Sequence, residues 1–495
     1  MNFTVDVVEA ADPAAVALVE LAGDGVRREH TFDAVAVAAR TMAGGLRQVG
    51  VRRGGVVMTL IGNRPDWVVT MVACFRQGHV VLPCTEQLRA RDLKRRLAVA
   101  RPAAVVADRR NEAVLREAGW DGPTVWVPGV MDWPQPAGPA PPPAVLEPGD
   151  PCLITFTSGT SGEAKAVLHA QRYLTGQRLQ AERWLDARPG DLVWCTAASG
   201  WSKSARNVFV APWLCGASAL LHDARFDPAQ RLELLEREDV NVLCMAPTEY
   251  RVIARRVQLR AFPALRGLVA AGEALDPGVL RAWHAATGLH IRDGYGQTET
   301  GQLTGAPLDE PVRRGSMGQA LPGVRLWIDD GELVADPATV PTFFSGYVGD
   351  ASEVGNAPAT ANAPATQAEW RTGDHVRQDE DGWLYFEGRA DDVIISAGYR
   401  IGPFEVESTL ASHPAVADAA VVAAPDEERG SVVRAVVVLR DGHVPSGELA
   451  RELQDHVKAQ TAPYKYPRIV EFADELPRTV SGKVRRALLR QAPGS

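Results

Sequence analysis

A short apolar segment runs directly into a turn of serine, threonine and glycine that closes with a lysine, at residues 155–165 (TFTSGTSGEAK). The backbone N–H groups, hydroxyls and single cation of such a turn can surround a polyphosphate. The GxxxxGK[ST] spacing of the nucleoside-triphosphatase P-loop is absent from this segment. By itself, the turn therefore fits either another kind of phosphate site or a polar surface loop.

Four more motifs follow this turn in order. They are residues 293–299 (DGYGQTE), 370–374 (WRTGD), 388–403 (GRADDVIISAGYRIGP) and 477–483 (PRTVSGK). Together with the turn they resemble the adenylate-forming superfamily, which includes acyl-CoA synthetases, peptide-synthetase adenylation domains and luciferases. The resemblance extends from roughly Thr31 to Arg490. It is closest to medium-chain acyl-CoA synthetases, because of residues 200–204 (GWSKS), 245–251 (MAPTEYR) and 461–467 (TAPYKYP).

This resemblance implies an AMP-forming carboxylic acid–CoA ligase. Such an enzyme joins an acid to ATP as an acyl-adenylate, releases pyrophosphate, and passes the acyl group to coenzyme A with release of AMP. ATP, Mg²⁺ and CoA are the implied cofactors and co-substrates. The alternative is an adenylating enzyme that delivers the acyl group to a carrier protein or an amine. An oxygenase of the luciferase type and a non-catalytic acyl-adenylate sensor fit the motifs less well.

The resemblance also assigns ATP contacts residue by residue. The turn would hold the β- and γ-phosphates through Thr157, Ser158, Gly159, Thr160, Ser161, Gly162 and Lys165. The remaining nucleotide contacts would be Gly272, Glu273, Ala274, Asp293, Gly294, Tyr295, Gly296, Gln297, Thr298, Asp374 and Arg389. Tyr295 would stack on adenine, and Asp374 would accept hydrogen bonds from both ribose hydroxyls. Glu299 is implied as the Mg²⁺-associated carboxylate, and Thr157, Glu299 and Lys483 as the catalytic residues.

In the family, the lysine that matches Lys483 swings in with a C-terminal cap and bridges the acyl carboxylate and the α-phosphate. The cap rotates between the two half-reactions about a hinge, which here would be Asp391. Rotation would bring Gly398, Tyr399 and Arg400 to the pantetheine tunnel. The CoA phosphates would be bound by Arg400, Arg429 and Lys458, although single cations are also common as solvated surface charges.

The acid pocket is implied by the same likeness. Synthetases restricted to acetate have a tryptophan where this chain has Gly296, so the tunnel is expected to admit medium-chain, branched or aromatic acids. Trp201, Lys203, Thr248 and Tyr250 would line it. Trp201 could equally belong to the core, and Gly296 could be glycine because the backbone requires it.

The remaining sequence predicts an α/β fold followed by an α+β region. Helical spacing at 32–49, 67–77 and 90–100 alternates with apolar runs at 56–61, 79–82 and 103–107, and a second series of runs lies at 152–157, 192–196, 218–221, 240–245 and 267–271. We expect residues 1–388 to form a large layered domain of two similar sheet halves and a small β-subdomain. Residues 389–495 are expected to form a mobile cap, with strands at 416–424, 432–439 and 469–472 and helices at 448–458 and 484–489.

Two further segments and the composition complete the prediction. Residues 134–151, with eight prolines, would link the two sheet halves, and residues 355–367 are of low complexity. A net charge of -8 argues against nucleic acid as the partner, no apolar run reaches the length of a membrane span, and the six cysteines show no CxxC pair. We therefore expect a cytoplasmic protein that binds small molecules. The oligomeric state stays open.

Overall fold

The computed structural model describes residues 2–23, 25–127, 140–157, 164–272, 275, 277–349, 361–362, 368–389, 392, 394–396, 399–426, 430–461, 463–479 and 483–491 of the 495-residue chain. Residues 134–139 of the proline-rich segment 134–151, and all of the low-complexity segment 355–367 except 361–362, lie outside these ranges.

The first part of the chain alternates strands and helices. Its elements are β1 (Val16–Leu21), β2 (Arg27–Thr31), α1 (Phe32–Gln48), β3 (Val56–Leu60), α2 (Pro65–Gln77), β4 (Val80–Cys84), α3 (Ala90–Ala100), β5 (Ala104–Ala107), α4 (Glu112–Glu117), β6 (Thr124–Trp126) and β7 (Pro151–Phe156). Local chemistry sets several of these bounds. The hydroxyl of Thr31 accepts from the N–H of Ala34 and caps α1, and α2 starts at Pro65 and ends before Gly78, whose φ is 66°.

The second part continues the alternation. Its elements are β8 (Ala166–Ala170), α5 (Gln171–Gln180), β9 (Leu192–Cys195), α6 (Ala211–Leu214), β10 (Ser218–His222), α7 (Pro228–Arg237), β11 (Val242–Met245), α8 (Pro247–Arg256), β12 (Gly267–Ala271), α9 (Pro277–Thr287) and β13 (Ile291–Gly294). A π-helical turn covers Arg206–Val210. These bounds agree with most of the predicted runs to within two residues.

The strands of these two parts form two large sheets. One has the order β13-β12-β11-β9-β10-β1-β2 and is parallel except for the β1–β2 pair. The other contains β8-β7-β4-β3-β5-β6 and is parallel from β7 onward. The prediction that residues 152–157 begin the second half is wrong. Leu153 of β7 pairs with Val81 of β4, so β7 and β8 belong to the sheet of β3 to β6. β1 pairs with β10, so β1 and β2 belong to the sheet of β9 to β13, and each sheet takes strands from the other half of the sequence.

Short strands then build a smaller layer beside the sheets. They are β14 (Gly296–Gln297), β15 (Gly301–Gln302), β16 (Thr304–Gly305), β17 (Gln319–Ala320), β18 (Leu326–Asp329), β19 (Glu332–Ala335), β20 (Gly346–Val348), β21 (Ala361–Asn362), β22 (Trp370–Gln378) and β23 (Leu384–Arg389). The four strands β18-β19-β22-β23 form an antiparallel sheet, while β20 and β21 extend the sheet of β8. Asp374 and Arg389 face each other across β22 and β23.

The last part is a small α+β region with its own apolar core. It consists of β24 (Ile394–Ser396), β25 (Tyr399–Ile401), α10 (Pro403–Ala411), β26 (Val416–Asp426), β27 (Gly430–Leu439), α11 (Gly447–Gln460), β28 (Ile469–Phe472) and α12 (Arg486–Gln491). Val406, Val421 and Leu453 are among the residues that close its core. The fold is therefore the predicted large α/β part followed by a smaller α+β part. Among the described residues, no helix combines the length and the apolar character that crossing a membrane requires.

Candidate active site

A cavity of about 1950 Å³ lies where the strands of both large sheets end and where the C-terminal α+β region faces them. Thr157 follows β7, Thr196 follows β9, and Asp293 stands at the end of β13, so the carboxyl ends of parallel strands supply one wall. Glu407, Lys483 and Arg486 supply part of the opposite wall. Residues that lie more than 300 positions apart in the sequence thus border the same cavity.

The phosphate turn opens onto this cavity through its two ends. The N–H of Thr157 donates to the carbonyl of Lys165 over 2.9 Å, and the N–H of Lys165 donates to Oγ1 of Thr157 over 2.9 Å. These two bonds close the turn at its base. Ser158, Gly159, Thr160, Ser161 and Gly162, which were predicted to contact phosphate, lie outside the described residues.

Lys165 and Glu299 are joined by a residue that the sequence analysis did not identify. Nζ of Lys165 lies 5.0 Å from the ring centroid of Tyr347, and the Tyr347 hydroxyl donates to Oε1 of Glu299 over 2.9 Å. Burial and the charge of Glu299 raise the pKa of Tyr347. The hydroxyl therefore stays protonated and remains a donor. Tyr347 is positioned by the pairing of β20 with β8. This is a tertiary contact that no local sequence motif predicts.

Asp374 is the centre of a second polar cluster. Its carboxylate is buried and accepts from Gln297 Nε2 over 2.8 Å, from Arg389 Nη1 over 3.0 Å, and from the Tyr295 hydroxyl. Tyr295, which the resemblance places against adenine, lines the cavity with its ring partly buried between two apolar clusters. Burial and the neighbouring Asp374 hold the pKa of Tyr295 well above its ordinary value.

Asp293, at the end of β13, also lines the cavity. Burial raises its pKa to about 8, against the opposing effects of the Gly294 N–H, which donates to Oδ1 over 2.8 Å, and of the Lys203 charge. At neutral pH this carboxyl is largely uncharged. Gly272, Gly294 and Thr298 also line the cavity, whereas Glu273 and Ala274 lie outside the described residues.

Two of the residues predicted for the acid pocket are in different surroundings from those expected. Trp201, Lys203 and Thr248 line the cavity, and Lys203 donates to the carbonyl of Ala271 over 3.0 Å. Tyr250, however, is 0% exposed, packs edge-on against Trp283, and donates its hydroxyl proton to the carbonyls of Leu243 and Val269. Tyr250 lies on α8 and belongs to the hydrophobic core beneath that helix. The prediction that it lines the acid pocket is wrong.

Gly296 requires a second correction. Its backbone lines the cavity, but a Cβ atom built on it would lie 1.9 Å from the carbonyl oxygen of Gly301 on the paired strand β15. Its side-chain direction therefore points at the backbone of Gly301. A close approach of two strands requires the glycine, and the expectation that its missing side chain opens the acyl tunnel is wrong.

The C-terminal α+β region presents Lys483 to the cavity. The N–H of Thr479 donates to the Lys483 carbonyl over 2.8 Å, and the Lys483 N–H donates to Oγ1 of Thr479 over 3.1 Å, so Thr479 fixes the backbone of the lysine. Arg486, on the following helix, is held by Glu407 of α10 at 2.7 Å. Lys483, Asp374 and Thr157 thus border the same cavity.

The predicted CoA contacts are only partly described. Asp391, Gly398 and Arg429, and the side chains of Tyr399 and Arg400, lie outside the described parts of the structure. Lys458 stands on α11, where its Nζ contacts Asp455 at 2.9 Å and the Tyr466 ring at 4.4 Å. It does not border the cavity. In the arrangement of the described residues, the predicted ATP and catalytic side chains meet and Lys458 lies apart.

Comparison with known proteins shows the family to which the chain is similar. Residues 6–341 match the AMP-binding enzyme family and residues 405–483 match the AMP-binding enzyme C-terminal domain. An uncharacterized acyl-CoA ligase of Bacillus subtilis (strain 168), YtcI, is 36% identical over 94% of this chain and 91% of the relative. The mitochondrial acyl-coenzyme A synthetase ACSM4 of Homo sapiens is 36% identical over 99% and 90%. The crystal structure of a Brucella canis acyl-CoA synthetase superposes with a TM-score of 0.72 at 32% identity, covering 99% of this chain and 94% of that chain.

Proposed function

The chain belongs to the family of AMP-binding enzymes, as an ATP-dependent, AMP-forming acyl-CoA ligase, and on this premise we propose which of its residues perform each step. The reaction has two steps. A carboxylate oxygen of the acid attacks the α-phosphorus of ATP and pyrophosphate leaves. The CoA thiol then attacks the acyl carbonyl and AMP leaves. The adenylate is needed because a free carboxylate is a poor electrophile.

The observation that carries the proposal is the shared cavity. Thr157 and Lys165 from the turn, Asp374 from β22 and Lys483 from the C-terminal region all border it. We assign the turn to the β- and γ-phosphates, Asp374 with Arg389 to the ribose, and Lys483 to the charge that develops between the acyl carboxylate and the α-phosphate. A positioned cation is most effective where it meets charge that exists only in the transition state.

Mg²⁺ fits the donors present. Glu299 borders the cavity, and only its Oε1 is hydrogen-bonded to a described residue, Tyr347, so Oε2 is available. Mg²⁺ in nucleotide sites commonly uses one or two carboxylates together with substrate phosphates, and the described residues contain no group of three His, Cys, Asp or Glu that would form a complete protein cage. The ion would neutralise charge on the departing pyrophosphate. Glu299 would hold it there.

We assign residues 1–388 to acid and ATP binding and residues 389–495 to a cap that reorients about Asp391 between the two steps. In the thioester step, Gly398, Tyr399 and Arg400 would border the pantetheine, and Arg400, Arg429 and Lys458 would bind CoA phosphates. Lys458 supports this because it lies away from the cavity, outside the region needed for the adenylate. Buried unpaired cysteines, together with the acidic net charge, favour the cytoplasm as the compartment.

The assignment of CoA as acceptor is tested by separating the two steps. Lys458→Ala should raise the apparent KM for CoA about 5- to 100-fold, the value of a charge-assisted contact. Acid-dependent exchange of pyrophosphate into ATP, measured without CoA, should be unchanged. Arg451→Ala, on the same helix, is the matched control and should alter neither. If wild-type protein performed the exchange but formed no thioester with CoA alone, a carrier protein or amine would be the acceptor.

A further inference from the structure

Arg206 is a buried cation in the wall of the cavity. It opens the π-helical turn Arg206–Val210, one helical turn after Lys203, and its side chain borders the cavity although the residue is only 5% exposed. From it we propose that the acid substrate carries a second anionic group, a carboxylate at its far end, which Arg206 binds. This proposal rests on the proposed function, because it concerns the acid that the ligase activates.

Arg206 differs from the other buried arginines in the described part of the chain. Arg76 contacts Glu9 at 3.0 Å, Arg231 contacts Glu249 at 3.3 Å, and Arg434 contacts Glu471 at 2.6 Å. No described carboxylate forms an ion pair with Arg206, and its Nε and Nη1 have no hydrogen-bond partner. Among the described residues, the other buried guanidinium groups are paired with carboxylates, and Arg206, which is not, borders the substrate cavity.

The neighbours of Arg206 do not supply the missing negative charge. The rings of His169 and Tyr173 lie 4.0 Å apart and tilted by 32°, the positive charge of Arg206 acts on both, and Tyr173 shares a side-chain hydrogen bond with Arg206. Burial and this charge lower the pKa of His169 to about 3, and burial raises the pKa of Tyr173, so both rings are neutral.

A buried charge without a partner is strongly unfavourable, whereas a buried charge with a well-placed partner is tolerated. A guanidinium presents a planar fork of N–H donors that matches a carboxylate in two parallel hydrogen bonds. Of the two unpartnered nitrogens, Nη1 shares the end of that fork with Nη2, whereas Nε lies on a different edge. A carboxylate of the ligand at the Nη1 end would accept from Nη1 and neutralise the charge.

The position of Arg206 assigns this carboxylate to the far end of the acid. Nη1 lies 3.6 Å from the point where a Cβ on Gly301 would stand, which places the guanidinium behind the β14–β15 hairpin. Lys483 approaches the cavity from the C-terminal region instead. An acid that spans the two would present one carboxylate to ATP and the other to Arg206. α,ω-Dicarboxylic acids have this chemistry.

The test compares acids of equal length that differ only in the far group. Pyrophosphate release is measured for C4 to C10 monocarboxylic acids and for the matching α,ω-dicarboxylic acids. At the best length, the wild type should favour the diacid about 10- to 100-fold in kcat/KM. Arg206→Met should reduce that preference at least tenfold without lowering activity on the monoacid, and Arg206→Lys should retain part of it. Arg251→Met removes the same charge from the same cavity and should leave the preference intact.

A wild type that favours the monoacid at every length would overturn the proposal, as would an Arg206→Met variant that folds and keeps the wild-type preference. Binding of the diacid to the protein, followed by the rise in melting temperature without ATP, provides a second readout. Diacid binding that Arg206→Met abolishes would support the subsite even if no pyrophosphate were released, and that combination would contradict the proposed function alone. Absence of both binding and turnover with diacids would overturn the subsite.

Discussion

Tyr347 donates a hydrogen bond of 2.9 Å to Glu299, and through this bond a short strand far along the chain orients a carboxylate of the phosphate site. The same ring lies 5.0 Å from Nζ of Lys165. One tyrosine therefore contacts both an acidic and a basic residue that we assign to the pyrophosphate end of ATP. Its hydroxyl fixes one oxygen of Glu299, and the other oxygen is the one that we propose as a ligand of Mg²⁺.

Tyr347→Phe should weaken the response to Mg²⁺. Without its donor the Glu299 carboxylate loses one fixed orientation, so the Mg²⁺ concentration for half-maximal activity should rise about 3- to 10-fold. The KM for the acid should stay the same. Tyr385→Phe removes a comparable hydroxyl, which donates to Asp379 at 3.0 Å outside the cavity, and should change neither quantity. An unchanged Mg²⁺ requirement in Tyr347→Phe would contradict the prediction that this tyrosine orients Glu299 for Mg²⁺.

Lys483→Ala should nearly abolish formation of the acyl-adenylate, because the transition state loses its cation. It should preserve much of the thioester step when synthetic acyl-adenylate is supplied with CoA. Arg485→Ala, two residues away and exposed, should leave both steps close to wild type. Equal losses of both steps in Lys483→Ala would contradict the assignment of this lysine to adenylation.

Gly296→Ala should reduce kcat/KM for short and long acids alike. The added Cβ would lie 1.9 Å from the Gly301 carbonyl oxygen, so the β14–β15 hairpin has to move beneath every substrate. Gly447→Ala adds a Cβ to open space at the start of α11 and serves as the control. A loss confined to long acids would instead restore Gly296 as the residue that sets the depth of the tunnel.

Asp293→Asn should stabilise the protein in a pH-dependent way. The folded state keeps this carboxyl protonated until about pH 8, whereas the unfolded chain releases the proton near pH 4. Stability in the wild type therefore falls between about pH 4 and 8, by up to about 1.4 kcal/mol per pH unit for this group. The gain in unfolding free energy of Asp293→Asn over the wild type should be absent near pH 4, grow with pH, and level off above pH 8. Unfolding curves of the wild type, Asp293→Asn and the exposed control Asp121→Asn would measure it, and a gain independent of pH would contradict the burial argument.

The sequence predicted the parts of this molecule that local patterns determine. The helix Ala90–Ala100 and the strands Gly267–Ala271 and Ile469–Phe472 agree with their predicted bounds, because apolar spacing and β-branched runs fix them locally. The exchange of β1 and β2 for β7 and β8 between the sheets could not be predicted. It depends on which buried edges pair, and similar apolar strands do not specify their neighbours.

The site shows the same division. Thr157, Glu299, Asp374 and Lys483 could be proposed because motifs of distinctive spacing contain them. Tyr250 was wrongly predicted to line the acid pocket because a tyrosine in a motif can face either the core or a cavity. Here two backbone carbonyls and Trp283 hold it in the core. Tyr347 was missed because it contacts Glu299 and Lys165, which are distant in the sequence. Arg206 was missed because a sequence does not show that a buried arginine lacks a carboxylate partner.

The central claim, that the acid is activated as an adenylate, is tested most directly by isotope transfer. The acid is labelled with ¹⁸O in its carboxylate and incubated with ATP, Mg²⁺ and CoA, and the products are analysed by mass spectrometry. Attack of a carboxylate oxygen on the α-phosphorus, followed by thiol attack on the acyl carbon, predicts one ¹⁸O in each AMP formed and none in pyrophosphate. Label in inorganic phosphate with formation of ADP, or thioester formed without label in AMP, would contradict the account.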